Sequence, residues 1–296
     1  MTGAGDALAG PFEQSREHLQ AVAYRMLGSL SEAEDAVQEA WLRLSRADTT
    51  GVANLRAWLT TVVSRVCLDM LRSRKSRREE SLEADAPRTP VAPGNPEHET
   101  ALADSVGLAL LVVLDTLAPA ERLALVLHDM FGVSFDEIAE IVGRSPAAAR
   151  QLASRARRRV QGAPPASPAD FAGHRGVVAA FLAALRGGDF DALVAVLAPD
   201  VVVRADRTVA PPDGSEARGA HDWARQAVVF GRMARAVGMV LVDGAPGLFL
   251  ARRGRVMRVL RLAIADGRIT QIEIIADPEQ LDALDLAVLD DGAAIG

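Results

Sequence analysis

The sequence has one cysteine, Cys67, one lysine, Lys75, and aromatic residues at only 4% of its 296 positions. A single thiol excludes an intrachain disulfide and a cysteine-based metal cluster, and it suits a reducing compartment. With so few aromatics, cores must be built from Ala, Val and Leu. Long apolar runs are missing as well. The longest, Val106–Leu114 and Val177–Leu185, have nine residues each, against about 20 for a membrane-spanning helix. Met1–Gly10 has neither a basic start nor an apolar stretch of signal-peptide type. These absences predict a cytoplasmic chain with no membrane contact and no metal or other cofactor. A basic excess is also missing: 33 Lys+Arg against 39 Asp+Glu give −6, opposite in sign to the usual nucleic-acid footprint.

Two proline-rich stretches divide what remains. Glu79–Glu99 holds Pro87, Pro90, Pro93 and Pro96, and Gly162–Pro168 holds Pro164, Pro165 and Pro168. Proline at this density sustains neither helix nor central strand. The expected organisation is a helical domain over 11–78, a linker over 79–99, a second helical domain over 100–160, a linker over 161–169, and an α+β domain over 170–290. In the first domain Leu19, Val22, Ala23, Met26 and Leu27 recur at helical spacing. Ser31 with Glu34 has the spacing of a capping box, opening a helix that breaks at Asp48–Gly51. A third helix runs from about Leu55 to Ser73. In the last domain Val201–Val203, Val240–Val242, Leu248–Leu250, Val256–Ile264 and Ile269–Ile275 read as an antiparallel run of strands. Helices Val177–Leu185, Phe190–Leu197 and His221–Arg232 accompany them.

The second domain carries the sharpest pattern. Pro119–Phe131 is a helix ended by Gly132. Ser134 with Glu137 forms a second capping-box pattern for Phe135–Val142, and Gly143 ends that helix. Ser145 then caps another helix with Pro146 at its first position. This is the signature of a helix-turn-helix, although an ordinary helical hairpin shares it. On the last helix Ala149, Leu152, Ala153, Ala156 and Val160 form an apolar stripe. Ala147, Arg150, Gln151, Ser154 and Arg158 lie opposite. Arg pairs with guanine and Gln with adenine at base edges, so Arg150 and Gln151 are the expected readers. Arg155, Arg157 and Arg158 are the expected phosphate clamps.

The charge is distributed unevenly. Arg65–Arg78 contains six basic residues and one acid, a local +5. Arg144–Arg159 contains six arginines and no acid, a local +6, which leaves −17 on the remaining residues. Two basic stripes on an acidic body make a phosphate footprint, although basic residues also favour helix C-termini on their own account.

These residues resemble a known family. Ala23-Tyr24-Arg25-Met26-Leu27-Gly28-Ser29, Glu32–Leu44, Arg56-Ala57-Trp58-Leu59 and Asp69-Met70-Leu71-Arg72 are similar to region two of bacterial extracytoplasmic-function (ECF) sigma factors. Leu117–Arg122, Phe135–Ala139 and the helix from Ser145 resemble region four. Leu127–Gly132 and Arg150–Ala156 are especially like the sigma factor J type. Phe181–Leu193, Leu197–Val201 and Ala276–Leu281 resemble the SnoaL-like, polyketide-cyclase-like cone that some of these factors carry at the C-terminus, with departures at Asp277, Glu279 and Gln280.

The resemblance implies two all-α sigma domains followed by an α+β SnoaL-like cone. It implies a non-catalytic RNA polymerase subunit that recognises promoters and is regulated in cis by the cone. Carried over by position, Asp35, Gln38, Glu39 and Arg43 would face the polymerase clamp. Asp48 and Asn54 would flank the loop that captures a flipped −10 base, with Arg65, Arg72 and Arg74 on the strand backbone. The −35 element would meet Arg144, Ala147, Arg150, Gln151, Ser154, Arg155 and Arg158. Asp277, Pro278, Glu279, Gln280 and Leu281 would form an interdomain regulatory motif. Core RNA polymerase and promoter DNA are the implied partners of a factor that is monomeric when free. The competing reading is an enzyme or small-ligand sensor fused to a DNA-binding module, with His174, Asp206, His221 and Asp222 as its acid/base candidates.

Overall fold

The structure, a computed structural model, describes residues 3–47, 52, 54–83, 105–162, 168–209, 216–230, 237–252 and 255–289. It divides into two compact units, Met1–Glu99 with Leu117–Arg157, and Thr100–Thr116 with Arg158–Gly296.

Three helices open the first unit: α1 (Gly3–Leu27), α2 (Leu30–Leu44) and α3 (Leu55–Glu83). The expected apolar positions of α1, from Leu19 to Leu27, are all buried. They pack on α2 and α3, where Ala33, Val37, Ala40, Leu59, Val63 and Val66 face inward. The Ser31–Glu34 capping box does not form. Gly28 takes φ 73° and ends α1, so the chain re-enters helix at Leu30 with Ser29 as its N-cap. Ser31 already lies inside the first turn, where its hydroxyl meets that of Ser29 at 3.0 Å.

After α4 (Ser105–Thr116) the chain returns to this unit in α5 (Pro119–Leu125). A π-helical turn over Val126–Met130 follows, then α6 (Phe135–Val142) and α7 (Pro146–Gln161). Helices α5 and α6 pack on α3, and the π turn packs on α1. Arg122 of α5 is only 1% exposed and donates to the Arg25 carbonyl at the end of α1, at 3.3 and 3.4 Å. His18 of α1 shares a 3.0 Å hydrogen bond with the Thr60 hydroxyl and meets the Phe131 ring edge-on. Burial, reinforced by the Arg56 charge, holds its pKa below the ordinary imidazole value. Burial also pushes the Cys67 thiol up to about 12, against the opposing pull of Arg122.

The second unit is built on a seven-stranded sheet. Its strands are β1 (Leu197–Ala205), β2 (Glu216–Arg218), β3 (Val237–Val242), β4 (Ala245–Arg252), β5 (Arg255–Ala265), β6 (Arg268–Ile275) and β7 (Leu286–Ala287), in the order β2-β1-β6-β5-β4-β3-β7. The run is antiparallel except that β1 pairs parallel with β6, and α10 (Ala220–Phe230) and four strands, β2 to β5, lie between the two in the chain. Helices α8 (Pro168–Gly187), α9 (Phe190–Val196) and α10 share an apolar core with the sheet. Phe181, Trp223, Leu193, Leu248, Ile269 and Ile272 belong to it, and Phe181 stacks on Trp223 with centroids 5.6 Å apart. Pro168 therefore begins a helix and does not belong to a linker.

The units are drawn differently from the segments expected between prolines. Helix α4, expected to open the second helical domain, packs on β3, β5 and β7. It is apolar all round, with Ala109, Leu111, Val112, Val113 and Leu114 buried. The unit boundary falls inside α7, between Arg157 and Arg158. On the sheet side of it, Val160 accepts a 2.8 Å hydrogen bond from the Val288 N–H. Helix α3 continues to Glu83, past the expected domain end at 78. Residues 84–99 of the first linker and 163–167 of the second lie outside the described residues.

Candidate nucleic-acid interface

The helix-turn-helix forms as its residues dictate. Ser134 accepts from the Glu137 N–H while the Glu137 carboxylate accepts from the Ser134 N–H, a complete capping box at the start of α6. Gly143 ends α6 at φ 70° and ψ 42°, a left-handed conformation that glycine adopts without a Cβ penalty. Ser145 then caps α7 by accepting from the Ala148 N–H at 3.2 Å. Ala149, Leu152, Ala153, Ala156 and Val160 are all buried, and Arg144, Ala147, Arg150, Gln151, Ser154 and Arg158 are exposed. The wheel drawn from the sequence is the wheel observed.

The arginines of this stripe divide by partner. Arg157 makes a bidentate pair with Asp129 at 2.6 and 2.5 Å, and Arg155 pairs with Glu121 at 2.9 Å. Asp129 lies on the π turn and Glu121 on α5, and each carboxylate side chain is only 12% exposed. Both pairs therefore bolt α7 to its own domain, a function that spacing along α7 could not disclose. Arg150 makes no hydrogen bond or ion pair among the described residues. Its guanidinium lies over the Phe135 ring at 5.6 Å.

The first helical domain sorts in the same way. Arg74 is pinned inside it by Glu32 and by the Leu27 carbonyl, so its charge is spent joining α3 to the α1–α2 turn. Arg65 is exposed and donates to the Glu140 carbonyl of α6 at 3.4 Å. Arg72 is exposed. Asn54 accepts from the Ala57 N–H at 3.1 Å and so caps α3. Asp48 lies outside the described residues. Trp58 is half-buried.

On α2, Asp35 and Gln38 are exposed, and Glu39 pairs with Arg43 at 3.0 Å. Gln38 also lines a groove of about 320 Å³ with Phe12, Arg16, Gln20, Glu34 and Trp41. Here Phe12 packs on Trp41 at 4.9 Å and Arg16 lies over Phe12 at 5.4 Å. Sequence reasoning did not find this groove, because Phe12 and Trp41 are too far apart in the chain to form one pattern.

In the sheet unit, Asp277 caps the short helix α11 (Pro278–Ala283) by accepting from the N–H groups of Glu279 and Gln280. Asp206 accepts from the N–H groups of Ala276, Asp277 and Thr208. Burial raises its pKa, but these backbone donors outweigh burial and hold it below the ordinary carboxylate value. Asp206 is thus a staple for the chain entering α11. Asp222 faces Arg225 at 3.8 Å and His221 meets Phe190 edge-on. No hydrogen bond or ion pair joins any two of His174, Asp206, His221 and Asp222. Among the described residues no group of His, Cys, Asp and Glu could hold a metal ion. No helix among them is long and apolar enough to cross a membrane.

Comparison with known proteins gives two family matches: Sigma-70 region 2 over residues 12–77 and Sigma-70, region 4 over residues 107–160. The chain is 40% identical to the ECF RNA polymerase sigma factor SigJ of Mycobacterium tuberculosis, over 91% of each chain. It is 35% identical to the probable ECF RNA polymerase sigma factor SigI of the same species, over 94% of this chain and 96% of that one. Among solved structures it resembles the crystal structure of M. tuberculosis SigJ, with 38% identity over 92% of this chain and 97% of that chain and a TM-score of 0.44.

Proposed function

The chain belongs to the ECF RNA polymerase sigma factors, and from that premise we propose that α7 reads the promoter −35 element through Arg150, Gln151 and Ser154. Ala147 allows close approach, and Arg144 and Arg158 meet flanking phosphates. The observation that carries this reading is the state of Arg150: exposed on a firmly capped helix, with no carboxylate to occupy its donors. Arg155 and Arg157, held by Glu121 and Asp129, set the orientation of the helix.

In region two, Arg65 and Arg72 hold the −10 strand backbone, and Asp48 and Asn54 meet the flipped −10 base. Asp35, Gln38, Glu39 and Arg43 face the clamp of core polymerase. The sheet domain regulates in cis and does not catalyse. The unit that contains the sheet also contains α4 and the last turn of α7, which supports control of region four by that domain. The factor works on promoter DNA in the cytoplasm, as a monomer before it meets polymerase.

Reconstituted transcription with core polymerase tests the reading. Full-length chain should give promoter-dependent transcripts, and R150A with Q151A should lose dependence on the −35 sequence while still binding core. A double variant that keeps the wild-type −35 preference would overturn it. Deletion of 277–296 should change transcript yield, and an unchanged yield would sink regulation through that segment.

A further inference from the structure

We propose that Phe135 is a positioning residue for the base-reading arginine, and that the π turn fixes both the platform and the helix it serves. This rests on Arg150 being a −35 reader. An arginine held by a carboxylate has its N–H donors occupied, as Arg155 and Arg157 do with Glu121 and Asp129. An arginine held by an aromatic face is oriented through its π surface, and its N–H edge stays open to a guanine. Arg150 is in the second condition, 5.6 Å from the Phe135 centroid.

The platform is itself secured. Phe135 begins α6 directly after the N-cap Ser134, inside the capping box, and its ring stacks on His128 with centroids 3.9 Å apart and 28° between planes. The His128 Nδ1 lies 3.0 Å from the Val133 carbonyl. His128 and Asp129 are neighbours on the π turn, so the same five residues carry the stack beneath Arg150 and the carboxylate that pins Arg157. The wider π-helical turn, a form that recurs at functional sites, thereby joins two supports for one recognition helix.

The test uses holoenzyme reconstituted from core polymerase and the full chain, with a promoter library randomised over the −35 element and read by sequencing of transcripts. R150A should erase the preference for one base at one position. F135L should weaken that same preference by roughly two- to fivefold, the scale of one exposed cation–π contact, and leave the other positions alone. F135W and F135Y, which keep a ring, should restore it. An F135L variant that keeps the full wild-type preference while R150A erases it overturns the proposal and leaves the −35 reading intact. An F135L defect spread over all positions and not rescued by F135W or F135Y also overturns it, since that pattern marks simple packing. An R150A variant with unchanged preference removes the −35 reading itself and the proposal with it.

Discussion

Single side chains in this protein are defined by what they face. Asp206 has the residue type of a general base, yet its carboxylate is given over to backbone N–H groups just after β1 and just after the parallel strand β6. Its folded pKa lies below the ordinary carboxylate value. The stabilisation is therefore complete above that ordinary value, near 3.9, and is lost as pH falls through the folded value. D206N should cost the sheet unit about 1 kcal/mol at pH 7, the net worth of a typical hydrogen bond. The gap between wild type and variant should narrow as pH falls from 7 through that folded value, below which both side chains are neutral. Urea unfolding across this range measures this, and an equal gap throughout would show that the charge is not what Asp206 contributes. The exposed face of α7 was legible in the sequence because a helix with buried alanines at Ala149, Ala153 and Ala156 leaves Arg150 and Gln151 on the other side. The ion pairs of Arg155 and Arg157 were not, because their partners are 34 and 28 residues away.

Elements show where local pattern stops being sufficient. The capping box at Ser134 formed and the one at Ser31 did not, although both have the same spacing. A glycine just upstream, Gly28, decides the second case by ending α1 too close to Ser31. Strands β2 and β7, three and two residues long, have no period to read and exist only through pairing with β1 and β3. Helix α4 is apolar on every face, which announces burial without saying against which domain. The tail is tied where Gly162 ends α7. Its φ is +67°, and a Cβ there would lie 2.6 Å from the Ala287 Cβ. G162A should combine backbone strain of about 1 kcal/mol with a clash that pushes β7 off its site. Amide exchange at Val288, whose N–H is bonded to Val160, should accelerate in G162A while that of the central strand β6 stays slow. Unchanged protection at Val288 would count against a tail tied at this glycine.

Across the whole chain, two sequence-distant helical blocks are joined in one unit by contacts that no linker pattern forecast. Buried Arg122 spans from α5 to the end of α1, and Cys67 lies fully buried within the same unit. The raised thiol pKa leaves negligible thiolate in the closed form, so alkylation at pH 7.5 proceeds through opening. R122M removes hydrogen bonds from a charged donor worth about 1.5–3 kcal/mol. It should raise the rate of Cys67 modification by iodoacetamide roughly ten- to a hundredfold, read by mass spectrometry. Equal rates in the two proteins would mean that Arg122 does not hold the unit shut.

The same chemistry sets a limit on control. Apart from Lys75, every cationic side chain that titrates above neutrality is a guanidinium, which keeps its proton throughout the physiological range and is not a substrate for lysine acetylation. The positive charge of α7, all of it arginine, accordingly has no switch by deprotonation or acetylation. For Arg155 and Arg157, held by Glu121 and Asp129, it is exchange of the carboxylate partner that frees or masks the charge.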